Sequence, residues 1–415
     1  MHLQSNEKLS PVKAYPELRN PRYNSLDMWR GVGCLMVVFA HGAFFAKPDF
    51  ASQQHAHRIG AMIVTLILKG WIGVPIFFVI SGYCIAATAD SSRRRAHPTW
   101  NYFKRRMRRV YPPYWAAAAF SVACGCVLLL VGSNILHNAP HTTELTMPNE
   151  MSPAQWIGSL TLTEMWRPHI GGGPALNILP PAWTLCYEEQ FYAICGVLLL
   201  VATRRFFAGA VVVTLATIFT FWLSATHPAM NFSGFFLDGR WLMFAAGMLV
   251  YHHLNYQQPG MKKWIAPALL VLGMLACKAL PHVYRKTMTY DAMDMLYTIW
   301  VALLFSMAIL LMRPLDKKLT NMRILWPLAQ CGQKCYSLYL LHWTVCAIIG
   351  HWLLAHGVHG IWPVLLITMP ITTVASFLVA AVFYRLVESK FLNTPAYSPA
   401  HPKPIPQVDL APAAV

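Results

Sequence analysis

The sequence predicts an all-α membrane protein of about ten transmembrane helices, with both termini in the cytoplasm. Three observations carry that prediction. Hydrophobic residues make up 56 % of the 415 and charged residues only 12 %, against roughly 25 % charged in soluble domains; the mean hydropathy is +0.42. Ten apolar segments approach the ~20 residues that cross a bilayer as a helix. Threading the chain through those segments puts 25 of the 33 Lys and Arg residues on one side, the cytoplasmic side by the positive-inside rule.

The first 22 residues are polar, carry Lys8, Lys13, Arg19 and Arg22, and lack the apolar core of a secretory signal. Residues 1–24 therefore read as a flexible cytoplasmic tail ahead of a transmembrane domain over 25–390. Spans are expected at 26–46, 70–89, 112–132, 182–202, 207–225, 235–254, 264–280, 292–312, 335–355 and 361–386. An even number returns the chain to the side where it began. Only Lys47, Arg58, Lys69, Arg167, Arg240, Lys278, Arg285 and Lys286 then face outward. This asymmetry accounts for the net charge of +17 with no nucleic-acid partner. The segment 47–69 is expected to be an amphipathic helix lying on the outer membrane surface. The stretch 133–181, which includes "GGGPALNILPPAW", is the longest outer loop, and loops of that length usually carry function. Residues 391–415 are proline-rich and are expected to form a flexible cytoplasmic tail. The ten cysteines lie mostly in or beside apolar segments and read as small hydrophobes. Cys331 and Cys335 lack a second pair of ligands, so no metal site is expected.

Ionisable side chains inside lipid cost about 2.5–3.5 kcal/mol each on insertion scales, which makes them functional candidates. The first span carries Arg30 and His41 at the two ends of "RGVGCLMVVFAH". Eleven residues are three helical turns plus about 20°, so the two share a face about 16 Å apart, and Asp27 is spaced to pair with Arg30. The fourth span carries "WTLCYEEQFY", residues 183–192. Counting from the membrane surfaces puts Glu188 at the depth of His41, as a base and its orienting carboxylate would require. The sixth span offers Asp238 and Arg240. The ninth offers Tyr336, Ser337, Tyr339 and His342, with His342 nearer the cytoplasm. The loop Arg93–Arg109 holds eight cations and suits either phosphates or anionic lipid headgroups. Each of these groups, taken alone, also fits a packing role: a histidine bonded to a neighbouring helix, or an arginine snorkelling to the membrane rim.

Taken together, these stretches resemble the membrane-bound acyltransferase-3 family, whose members acylate hydroxyls of sugars and related substrates. "LDMWRG…H" matches its arginine–ten residues–histidine signature, "GWIGVPIFFVISGY" its Gly-Val-x-x-Phe-Phe-x-x-Ser-Gly segment, and "RRMRRVYPPYW" its Arg-x-x-Arg-x-x-Pro stretch. "WTLCYEEQFY" sets Glu188 at the family glutamate, and "YSLYLLH" with Glu388 matches the closing motifs. Ser389 and Lys390 stand where the family often has proline. The resemblance implies a stand-alone O-acyltransferase of a bacterial inner membrane. Its acyl donor would be cytoplasmic acyl-CoA, acetyl-CoA by default, held by Arg30, Arg105, Arg106, Arg109 and His342. His41 and Glu188 would be catalytic. Trp183, Glu189, Tyr192 and Arg240 would meet a carbohydrate acceptor, a surface polysaccharide or its lipid-linked precursor. A proton-coupled transporter is the rival reading, because a His–Glu pair at mid-membrane serves carriers too; the internal repeats that many carriers show are not found in the sequence.

Overall fold

A computed structural model describes residues 23–94, 97–131, 145–227, 229–256, 260–284 and 288–392. Apart from residues 23–24 and 391–392, the two expected tails lie outside the described residues, as do Arg95 and the first part of the 133–181 loop. The described residues are helical throughout their regular structure. Nine of their helical segments are long and apolar enough to cross a membrane. The tenth expected span, 235–254, is the shorter helix α9, Arg240–Tyr256, of 17 residues, about 26 Å long. The protein is an integral membrane protein with multiple spans.

The first span is α1, Leu26–Ala43. Two short helices follow, α2, Lys47–Gln53, and α3, Arg58–Leu68. The single surface helix expected over 47–69 is therefore not what forms. Instead α3 runs along α1 and continues through a 3-10 turn, Lys69–Ile72, into α4, Gly73–Ser92. Gly60, Ala61 and Val64 of α3 are buried while Ile59, Met62 and Leu66 are exposed. The exposed apolar stripe suits lipid rather than a headgroup boundary. The 33-residue helix α5, Pro98–Leu130, carries Lys104, Arg105, Arg106, Arg108 and Arg109. Five of the eight cations expected on a loop thus sit on a helix, while Arg93 and Arg94 stay in the connection after α4; the helix begins at Pro98 because proline suits a first helical turn.

The remaining helices are α6, Pro153–Leu160; α7, Trp183–Val201; α8, Phe206–Thr226; and α9. Then come α10, Ile265–Val283; α11, Tyr290–Met312; α12, Asp316–Asn321; α13, Trp326–Gln333; and α14, Cys335–Ala355. The last is α15, Ile361–Phe391, which contains π turns at Val364–Thr368 and Tyr384–Glu388. Packing rests on α4 against α9, α1 against α13 and α14 against α15. In lipid the hydrophobic effect does not bring helices together, so close backbone approach at small residues must. At the α4–α9 crossing a Cβ on Gly82 would fall 1.9 Å from the Phe244 carbonyl, and one on Gly247 would fall 1.9 Å from that of Val79. Each helix lays a glycine on the other's backbone.

The start of α1 is held by a distant carboxylate. Ser25 makes no side-chain cap; buried Asp316 accepts from the backbone N–H groups of Ser25 (2.8 Å) and Asn24 (3.1 Å) and pairs with Arg313 (2.8 Å). Replacing Asp316 with alanine leaves two backbone donors and a guanidinium without it. We expect a loss of about 1–3 kcal/mol, read as a lowered thermal midpoint in detergent, with Asp316→Asn less damaged.

Candidate active site

One cavity of about 500 Å³ lies between α1, α4, α5, α7 and α14. Its wall gathers side chains far apart in sequence: Arg30 and His41 from α1, Ser81 and Cys84 from α4, Arg106 and Arg109 from α5. Trp183, Glu188 and Tyr192 come from α7, and Tyr336, Tyr339 and Trp343 from α14. Most of the wall between these groups is apolar, so the polar ones stand out as anchors for a ligand.

The cations mark the end where α1 begins. Arg30 donates to Asp27 (2.5 Å) and to the Cys84 sulfur (2.9 Å). Arg106 donates to Thr88 (2.6 Å) and lies over the Tyr192 ring, 5.3 Å from its centroid. Tyr192 in turn donates to Glu188 (2.5 Å), and Ser81 also hydrogen-bonds that carboxylate. Glu188 thus sits in a polar belt with Ser81, Tyr192 and Arg106.

His41 occupies the last turn of α1. Its Nδ1 lies 2.8 Å from Nε2 of His342. The two rings are nearly parallel, at 12° and 5.0 Å between centroids, and Trp343 meets His41 edge-on at 4.8 Å. His342 was expected nearer the cytoplasm with the donor; the structure sets it beside His41 instead. The reason is α13. It packs against the first turn of α1, where Cβ atoms on Gly31 and Gly332 would collide with the Leu328 and Asp27 carbonyls. That lifts the start of α14 until the Cys335 carbonyl meets the Cys34 sulfur, 3.9 Å away. Seven residues further along each helix come His41 and His342.

Counting depth also set Glu188 level with His41 as its orienting partner. The structure gives the imidazole's Nδ1 to His342. The turn before α7 is recessed: Tyr339 donates to the Pro181 carbonyl and accepts from Thr184 (2.8 Å). Glu188, one turn beyond Thr184, therefore falls nearer Arg106 than the count implied.

Of the other expected site residues, Trp183 and Tyr192 line the cavity and Arg105 does not. Glu189 turns out of it towards Tyr111 of α5. Arg240 stacks on Trp183, 5.4 Å from the ring centroid, and pairs with Asp238 and Tyr187, so it supports the wall from behind. Ser81, Thr184 and Trp343 also line the cavity and were not among the expected site residues. A signal for the α14 face existed: Tyr336, Tyr339 and Trp343 recur at helical spacing. Glu388 is buried and accepts from the Ser337 backbone N–H (3.0 Å) and hydroxyl. It caps the first turn of α14, on which His342 rides.

The acyltransferase-domain model of the Acyl_transf_3 family matches residues 23–385. The chain belongs to the acyltransferase-3 family. A protein of Komagataeibacter xylinus named "Putative membrane-bound transacylase BcsY" is 24 % identical over 335 residues, covering 76 % of this chain and 78 % of that one. "Acyltransferase MdmB" of Streptomyces mycarofaciens is 23 % identical over 172 residues, covering 41 % of this chain and 38 % of its own length. No solved structure matches the chain. Membership makes the chain an acyltransferase with an acyl donor and an acceptor. The matched region spans α1 to α15 and so takes in every wall of the cavity.

Proposed function

We propose that the protein moves an acyl group, acetyl by default, from cytoplasmic acyl-CoA to a sugar hydroxyl of a surface polysaccharide or its lipid-linked precursor, in a bacterial inner membrane. The observation that carries this is one cavity with cations at one end and His41 towards the other. Basic residues cluster at the end where α1 begins, which supports reading that end as cytoplasmic. Acyl-CoA arrives from there. Its phosphates meet Arg30, Arg106 and Arg109, with Arg105 and Arg108 outside the cavity adding to the local positive field. The pantetheine arm runs along the cavity past Ser81, Glu188 and Tyr192, where amide N–H groups find a carboxylate acceptor. The thioester reaches the neighbourhood of His41.

The acceptor enters from the opposite side, among Trp183, Tyr339 and Trp343, whose flat rings suit the C–H faces of a sugar. His41 takes the proton of the acceptor hydroxyl as its oxygen attacks the thioester carbon. The carbon–sulfur bond breaks, and the proton held by His41 passes to the departing sulfur, giving free CoA and an ester. Glu188 balances the positive charge that His41 gains along the way.

The donor half of this scheme has its own test. Charge-assisted hydrogen bonds are worth about 1.5–3 kcal/mol each. Arg109→Gln is therefore expected to raise KM for acyl-CoA by about tenfold to a hundredfold with kcat little changed. An unaltered KM would remove the arginines from the donor site. The whole reading is tested by mass spectrometry of surface glycans from cells with and without the gene. Loss of one acetyl mass per modified sugar is expected, and identical glycans together with no acyl-CoA turnover by the purified protein would overturn it.

A further inference from the structure

We infer that His342 is a positioning residue that fixes the tautomer of His41, making His41 Nε2 the basic nitrogen of the site. The inference rests on the acyl-transfer reading for its consequence, but the hydrogen-bond geometry that carries it stands apart from that reading.

A short chain of hydrogen bonds ends on His41, and its far end fixes every proton in it. Nδ1 of His342 lies 2.9 Å from the Leu338 carbonyl and 2.8 Å from that of Tyr339, both one turn back on α14. A carbonyl oxygen only accepts, so this nitrogen carries the proton. In a neutral imidazole the other nitrogen then bears the lone pair. That nitrogen, His342 Nε2, is 2.8 Å from His41 Nδ1, so His41 Nδ1 is the donor. A neutral His41 protonated on Nδ1 keeps its lone pair on Nε2. The reverse assignment either sets two lone pairs face to face or puts a second proton on His342. The latter residue is only 1 % exposed, and burying an added charge there is costly.

The placement of the pair matches this division of labour. His41 lines the cavity and His342 does not. His342 therefore stands behind His41 as the carboxylate stands behind the histidine in a Ser–His–acid triad. It touches no substrate. When His41 gains the acceptor's proton, its Nδ1–H becomes a charged donor, and the bond to His342 tightens. The orienting group of this base is a second imidazole locked by its own helix.

The test uses full-length protein in lipid nanodiscs with His342→Leu and His342→Gln, the second keeping an amide oxygen that can accept from His41 Nδ1. Kinetics with acetyl-CoA are expected to show kcat lowered by about tenfold to a hundredfold in His342→Leu, partial recovery in His342→Gln, and KM for the donor unchanged in both. Combined with His41→Ala, His342→Leu should add little, because the two act as one unit. A raised donor KM at constant kcat would make His342 a donor-binding residue and overturn the inference. So would equal losses in both variants that simply track their thermal stability. Nitrogen-15 spectra of labelled histidine read the tautomer without turnover: His41 is expected protonated on Nδ1 in the wild type and mixed in His342→Leu. Finding Nε2 protonated overturns the inference whatever the activity. Finding the expected tautomer in a protein that transfers no acyl group overturns the functional reading alone.

Discussion

Replacing His41 with alanine is expected to lower acyl transfer by about a hundred- to ten-thousand-fold, the range a positioned general base supplies. His41 sits in the last turn of α1 with its ring in the cavity wall, between Trp343 and Phe44. Truncation removes the group that takes the acceptor's proton. Arg30 and Arg109 stay in place at the other end, so the donor's KM should change little. The truncation also strips buried His342 of its hydrogen-bond donor, a loss of about 1–3 kcal/mol. His41→Gln refills much of the volume and separates this stability effect from the chemical one; it should be as inactive as alanine but more stable. Assays in isolated membranes with labelled acetyl-CoA decide the matter. Normal rates in both His41→Ala and Glu188→Ala would end the proposed mechanism.

The second large effect is on folding. Gly247→Val is expected to abolish the monodisperse, detergent-soluble form, and Gly247→Ala to lower the thermal midpoint. A Cβ there would lie 1.9 Å from the Val79 carbonyl, and no rotamer change moves a backbone atom aside. Overpacking in a filled interior costs about 1–3 kcal/mol, occasionally more, and the reciprocal contact of Gly82 with Phe244 leaves the helices no direction in which to slide. Size-exclusion profiles of the variants read the result. A wild-type profile and midpoint for Gly247→Val would mean that α4 and α9 do not cross as described. Because α4 also carries Ser81 and Cys84, partial separation of these helices should disturb the cavity before the whole bundle unfolds.

Much of the architecture was legible because the bilayer is a harsh solvent. Unpaired backbone groups cannot be left in lipid, so long apolar stretches must be helices. Nine of the ten expected spans have the length and apolarity to cross, and α9 forms where the tenth was expected. The costliest side chains were legible for the same reason. Arg30, His41 and Glu188 stood out because a charge in an apolar run needs a compensating environment, and all three line one cavity. What failed was depth. Counting residues from each span's end assumes that every helix begins at the same level. The recessed turn before α7 and the short helix α13 beneath α14 both break that assumption. The surface helix expected over 47–69 failed differently: two helices form there, and α3 lays its small residues Gly60, Ala61 and Val64 inward along α1 while Ile59, Met62 and Leu66 stay exposed.

The sequence by itself determined that the chain spans a membrane many times and which ionisable residues it carries there, because transfer free energy depends on residue type and on length along the chain. Only the tertiary structure decided which of those residues meet. His41 and His342 are 301 positions apart, and their contact follows from Gly31 and Gly332 seating α13 against α1, which brings two parallel helices into the same register. Hydropathy is a sum over neighbours in sequence, whereas a hydrogen bond between helices depends on the axial offset that backbone contacts impose.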